Sequence, residues 1–188
     1  LALAALTWRQ AGYWHDDMRL SEHAIEATDG NYLAHNNLGL ALEGEAKAAE
    51  AVVHYRKAIE AYPRYLDAHV NLGVALTTLG RYSVAVDSYE KALQIRPGSV
   101  EARVNLGSLL LRSGRTDEAI GHFKEALKSG GGSSDVHNAL GVALAQRGDA
   151  DGAAAQFREA VKIDPGHIGA RMNLSRVESM RKASGSPP

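Results

Sequence analysis

The stretch Leu66–Ser99, LDAHVNLGVALTTLGRYSVAVDSYEKALQIRPGS, decides the fold. Two segments with apolar residues at helical spacing flank Gly80, and Pro97 closes the second. Shifting the window by 34 residues in either direction recovers the pattern. Leu72-Gly73 recurs as Leu38-Gly39, Leu106-Gly107, Leu140-Gly141 and, weakened, Leu174-Ser175. Ala85 recurs as Ala51, Ala119 and Ala153; Tyr89 as Tyr55, Phe123 and Phe157. Ala92 returns as Ala24, Ala58, Ala126 and Ala160, and Pro97 as Pro63 and Pro165. Landmarks of several kinds holding one spacing mark an internal repeat, which outranks any other reading of fold.

Ala68, Leu72, Gly73 and Leu76 fall on one face of a helix. A mid-helix glycine costs about 1 kcal/mol against alanine. Gly73 therefore implies close approach of a second helix, whose answering face is Ala85, Tyr89 and Ala92. Gly80 supplies the left-handed residue that ends the first helix. Pro97 stops the second helix and biases Arg96 toward extended angles. Each hairpin leaves apolar surface that only the next can cover, so the units must stack.

This spacing, with its small–large–small alternation, resembles the tetratricopeptide repeat family over roughly residues 32–167. The resemblance implies an all-α, right-handed superhelical solenoid whose first helices line a concave groove. It implies binding of a protein or peptide, and no catalysis, cofactor or metal. The repeats read as 32–65, 66–99, 100–133 and 134–167. A truncated repeat occupies 1–31, a capping helix 168–182 and a disordered tail 183–188.

Composition fits this reading. The 188 residues suit one domain or one solenoid, and a net charge of −1 offers no basic face to nucleic acid. The absence of cysteine excludes disulfides and thiolate zinc sites but leaves the compartment open. No run approaches the roughly 18 apolar residues that span a bilayer, so no direct membrane contact is expected within these residues. The chain starts at Leu1 without Met and reads as part of something longer.

Taken in order, residues Leu1–Ala11 and His15–Ala27 read as two helices of an eroded repeat, with Trp8 where Leu42 and Leu76 stand later. Repeat one has Ala46 in place of the turn glycine, so Gly44 is expected to serve two residues early. Repeat three ends in Gly130-Gly131-Gly132-Ser133-Ser134 where an Asp-Pro turn is expected: a surface turn, or a hinge. The helix Ile168–Lys182 carries Arg171, Arg176, Glu178, Arg181 and Lys182 on a solvent-facing side, as a cap should.

Asn37, Asn71, Asn105 and Asn173 each precede the Leu at the packing position, with Asn138 one place early in the remaining repeat. An amide both donates and accepts, so such a row can hold an extended peptide backbone irrespective of sequence. The row resembles the asparagine ladder of the repeat domain in O-linked N-acetylglucosamine transferase. Val70, Val74, Thr77, Val104, Ser108, Leu111, Val142 and Met172 complete a mildly apolar groove floor. The family's carboxylate clamp is not expected, because Leu40, Val70 and Val104 stand where it needs polar or basic groups. His35, His69 and His137 recur in register as half-exposed interface residues, too far apart along the stack to share a metal.

The leading expectation is a protein–protein interaction scaffold that binds a polypeptide segment in its groove. An alternative rests on a second resemblance. The run LTWRQAGYWHD followed by HAIEATDGNYLAHNNLG resembles the junction where bacterial multi-spanning membrane glycosyltransferases, related to protein O-mannosyltransferases, pass into C-terminal repeat arrays. That would make the chain an accessory domain with LALAAL as the end of a membrane helix. It would place the array in the periplasm instead of the bacterial cytoplasm. Leu1, Leu3, Leu6 and Trp8 have no upstream neighbour, which points to a homodimer through residues 1–28.

Overall fold

In the computed structural model, residues 18–25, 28 and 30–183 are described. The expected helix at 1–11, the Trp8 position, the tail from 184 and most of the proposed dimer surface lie outside them. Residues 18–25 are helical. Beyond them run α1 (Tyr32–Gly44), α2 (Ala48–Ala61), α3 (Leu66–Thr78) and α4 (Tyr82–Ile95). These are followed by α5 (Val100–Arg112), α6 (Thr116–Lys128), α7 (Ser134–Gln146), α8 (Ala150–Ile163) and α9 (Ile168–Ala183). There is no strand among the described residues. The chain divides into two compact units, residues 1–96 and 97–188. The first contains the hairpins α1–α2 and α3–α4. The second contains α5–α6, α7–α8 and the closing helix α9.

Each hairpin is locked by a ring against a glycine. A Cβ built on Gly73 would meet Cδ1 of Tyr89 at 2.7 Å, and one on Gly107 would meet Cε1 of Phe123 at 2.9 Å. Gly39 faces Tyr55 and Gly141 faces Phe157 in the same way. The ring fills the space of the missing side chain, between alanines that are themselves fully buried: Ala85 and Ala92 around Tyr89, Ala119 and Ala126 around Phe123. At interior packing density a side chain added at the glycine would have to displace the ring.

The turns share one hydrogen-bond scheme. Gly80 N–H donates to Thr77 O and Arg81 N–H to Leu76 O, the paired bonds of a Schellman cap. Gly114 with Arg115, and Gly148 with Asp149, repeat it. The glycines take φ of 72°, 77° and 88°, the left-handed region their role requires. Repeat one departs from expectation. Gly44 ends α1 as an ordinary helical residue, and Ala46 itself adopts φ 61°. Its N–H donates to Glu43 O, and Lys47 N–H donates to Leu42 O. The cap keeps the same hydrogen-bond scheme as the later turns, with alanine in the place that glycine holds there.

The glycine run of repeat three is a formed turn. Gly130, at φ 92°, donates to Leu127 O, and Gly131 donates to Ala126 O at 2.9 Å. A Cβ on Gly131 would strike Val100 Cγ1 at 2.5 Å and the Ala126 carbonyl oxygen at 2.8 Å. Two of the three glycines thus answer to specific constraints, which a slack surface linker would not impose.

Proline ends the second helices as expected. Tyr62, Arg96 and Asp164, each preceding a proline, sit at φ near −130° to −138° with ψ of 90–97°. The residue that opens each new first helix then caps it. Asn31, Ser99, Ser133 and His167 accept from the N–H three residues on, His167 through Nδ1. Tyr65 makes no such bond; with Tyr62 it packs on Tyr32, centroids 5.0 Å apart in both pairs.

The closing helix is less exposed than expected. Arg181 is mostly buried and reaches Asp151 at 2.8 Å, while Glu178 pairs with Arg158 at 2.7 Å. Charged side chains of α9 therefore bind back onto α8, and they do not all face solvent.

Candidate functional site

The asparagine row is built from pairs. Asn71 Nδ2 donates to Asn36 Oδ1 at 3.0 Å, joining α3 to α1. Asn173 Nδ2 donates to Asn138 Oδ1 at 3.0 Å, joining α9 to α7. One donor of each half-buried Asn71 and Asn173 is therefore spent within the protein, and the Oδ1 atoms remain as acceptors. Asn36, buried to 3% exposure, was missed in the sequence because it precedes the repeating position by one place. Asn138 occupies the same place as Asn36 in its own repeat, so its displacement by one residue is what lets it pair. Asn37 is exposed and Asn105 half-buried.

The floor residues differ in reach. Val74, Thr77, Val104, Leu111 and Val142 are half-buried, and Ser108 is exposed. Met172 is 67% exposed, whereas Val70, at 2%, lies below the surface and cannot touch a ligand. Val70 therefore drops out of the groove floor: it stands in the Asn36 register, which points inward in the N-terminal unit.

A second series runs along the same first helices. Four residues after each packing glycine, the first helix carries Glu43, Thr77, Leu111 and Ala145, in register with the rings Tyr55, Tyr89, Phe123 and Phe157. Tyr55 donates to Glu43 at 2.6 Å, and the Thr77 and Tyr89 oxygens are 3.5 Å apart. Burial raises the Glu43 carboxyl above the usual carboxylate range, a rise the Tyr55 hydrogen bond opposes. Burial, and then the bond to Glu43, push the Tyr55 phenol well up. In the last hairpin the companion residue is Ala145, and the Phe157 ring is still only 1% exposed. A slot of about 290 Å³ opens there, with Val142, Ala145, Phe157, Val177 and Met180 as its apolar walls. Gln146, Asn173 and Arg176 supply its polar rim. None of Ala145, Gln146, Arg176, Val177 or Met180 was identified as a groove residue from sequence. No local signal in the sequence marks them, because Ala145 is one small residue among many. A further hollow of about 340 Å³ beside α9 includes Glu178, which pairs with Arg158.

The in-register histidines are more buried than expected. His35 and His69 are buried and His137 is half-buried. His35 Nδ1 lies 3.2 Å from His54 Nδ1, a bond that needs one shared proton. His137 Nδ1 meets Gln156 Oε1 at 2.8 Å, and His69 Nε2 meets the Pro63 carbonyl at 2.9 Å. Burial, then Lys57, hold His35 below the usual histidine value. Burial, then His35 and Lys57, do the same to His54, against Glu50. Among the described residues no three His, Asp or Glu side chains stand together as a metal site would require.

Profiles of the Tetratricopeptide repeat family match residues 30–98 and 65–130, and a second such profile matches 104–168. The chain belongs to the tetratricopeptide repeat family. The all-α fold class and the hairpin repeat expected from the 34-residue spacing are thereby shown. No curated protein matches the chain in sequence. Among solved tetratricopeptide structures, it is similar to YrrB, described as "a TPR protein with an unusual peptide-binding site". That likeness has 23% identity and TM-score 0.72, covering 89% of this chain and 87% of YrrB. MamA of Desulfovibrio magneticus RS-1 has 19% identity and TM-score 0.76, with 82% of this chain and 87% of MamA covered. The thermophilic TPR protein TTC0263 of Thermus thermophilus has 19% identity and TM-score 0.72, with 95% and 97% covered. At these identities the likeness is one of fold. A tetratricopeptide array is a scaffold for protein interactions, and no helix among the described residues is long and apolar enough to cross a membrane.

Proposed function

We propose that this tetratricopeptide chain binds an extended polypeptide segment along the face formed by its first helices, and that it performs no chemistry there. The observation that carries the reading is the amide pairing, present once within each unit: Asn71 with Asn36 and Asn173 with Asn138, at the same 3.0 Å. Each pair fixes a side-chain amide in one orientation, with its free acceptor already aimed. A peptide N–H can then be met without a further loss of side-chain freedom. Val74, Thr77, Val104, Leu111 and Val142 offer half-buried surface beside these amides, while Asn37, Ser108 and Met172 stand at the exposed margin. The solved relative described as having a peptide-binding site supports this choice of ligand. No observation among the described residues favours the accessory role beside a membrane glycosyltransferase.

The test is a dodecapeptide selected by display on the full chain. Asn71→Ala combined with Asn105→Ala should weaken it about tenfold or more, the loss of one or two hydrogen bonds at roughly 1 kcal/mol each. The helical circular-dichroism signal should be unchanged. Lys91→Glu, on the exposed side of α4, should leave affinity as it was. Unchanged affinity in the asparagine variant, with loss in the lysine variant, would place binding on the other surface.

A further inference from the structure

The slot at the C-terminal hairpin has a physical origin that bears on what enters it. In the preceding hairpin, Leu111 stands where Ala145 stands in this one, and the rings of both hairpins, Phe123 and Phe157, are buried. Exchanging leucine for alanine removes three carbons from above Phe157, and α9 does not close over the gap. The result is an open recess between α7, α8 and α9 whose walls are mostly apolar. Small-molecule sites occupy roughly 300–1,000 Å³, so about 290 Å³ in an open slot suits one bulky side chain better than a whole metabolite.

The rim adds a charge. The carboxylates around α9 are engaged: Asp151 by Arg181, Glu178 by Arg158, Asp149 by Arg147 and Glu159 by Lys162. Arg176 lines the slot with no ion-pair partner among the described residues. Beside it Asn173, held by Asn138, keeps its Oδ1 free to accept, and Gln146 can donate or accept. The recess is thus apolar at its base, cationic at its lip and flanked by a positioned amide.

We propose that this slot takes an aliphatic side chain of a bound peptide whose adjacent carboxylate pairs with Arg176. The inference rests on the peptide-binding reading above and names the kind of segment bound. Terminal and side-chain carboxylates share the required chemistry. Arg176 selects for charge, and Ala145 selects for bulk by leaving room.

The experiment is amide NMR of the full chain titrated with three probes. They are N-acetyl-leucine, N-acetyl-leucyl-glutamate α-amide and N-acetyl-leucinamide. The first should shift Ala145, Val177 and Met180 with a dissociation constant of about a millimolar, as expected for a fragment of this size. The uncharged amide should bind roughly fivefold more weakly. Comparable binding of the glutamyl probe assigns the carboxylate to an internal acidic residue; weaker binding assigns it to a chain terminus. Ala145→Leu should abolish the shifts with the melting temperature retained, and the milder Ala145→Val serves if leucine disturbs packing. Arg176→Gln should make the three probes equal. Equal binding of leucinamide by the native protein, survival of the shifts in the filled variants, or no binding of any probe would overturn the proposal. If the selected dodecapeptide still depends on Asn71 and Asn105 in that case, the slot fails and the scaffold reading stands.

Discussion

In the N-terminal unit the ring that locks each hairpin is a tyrosine with a polar companion, Glu43 or Thr77. In the C-terminal unit it is a phenylalanine with an apolar one, Leu111 or Ala145. The glycines opposite are the same in both, and so are the alanines that bracket the ring. The difference shows that the ring and the residue over it are chosen together. A hydroxyl buried on the ring must find a partner, so tyrosine demands an oxygen one turn beyond the glycine. A phenylalanine makes no such demand, which frees that position to fill the groove, as Leu111 does, or to leave it open, as Ala145 does. Shape in the binding face thereby follows from chemistry in the core.

Breaking the pairing should have the largest effect. Phe123→Tyr puts a hydroxyl against Leu111 with nothing to receive it and should cost about 1–3 kcal/mol. Adding Leu111→Glu, which copies the first hairpin, should recover much of that. Tyr55→Phe should cost less, about 1.5 kcal/mol, because Glu43 is only half-buried and water can take part of the lost bond. Urea unfolding of the four proteins measures this. A double variant no better than Phe123→Tyr would mean the two positions are not coupled.

The turns sharpen the comparison at about 1 kcal/mol. Ala46 occupies a left-handed conformation that glycines hold at 80, 114 and 148. Ala46→Gly should stabilise the first hairpin by about 0.5–1 kcal/mol, the steric penalty of a side chain there. Gly80→Ala should destabilise by a similar amount. A Cβ on Gly80 meets nothing within 4 Å, so the whole effect is backbone strain. Opposite shifts in melting temperature are expected, and shifts of the same sign would contradict the account.

The smallest effect distinguishes the two units by pH. His35 and His54 both titrate below the usual 6.5 in the folded chain. The unfolded chain therefore takes up protons first as pH falls. Stability from this pair is present above that window and lost as pH drops through 6.5 towards the lowered values. Glu43, raised above its usual 4.5, acts in the opposite sense and at lower pH. Urea midpoints at about pH 7.5 and 5.5 should differ in the native protein. His54→Gln, which reproduces the His137–Gln156 pair of the last hairpin, should flatten the difference.

Much of the fold was legible because its landmarks obey strong local rules. Gly73 and Tyr89 announce a close helix contact, Gly80 a left-handed cap, and Pro97 a helix stop. What could not be read depended on neighbours in space. Nothing local says that alanine at 46 will take a glycine's conformation, since the hairpin around it imposes that. Asn36 was invisible because its role is to receive Asn71 from the next repeat, thirty-five residues on. The recurrence of Asn71, Asn105 and Asn173 could be read from the 34-residue register, but the slot could not. A cavity is the absence of a side chain, and Ala145 reads as one more small residue among many.

Hydrogen–deuterium exchange of the full chain, with and without the selected dodecapeptide, tests the central claim most directly. Binding along the first-helix face predicts slowed exchange in α3, α5, α7 and α9, with the outer surfaces of α2, α4 and α6 unchanged. Protection confined to those second helices, or protection nowhere despite saturating peptide, would contradict it.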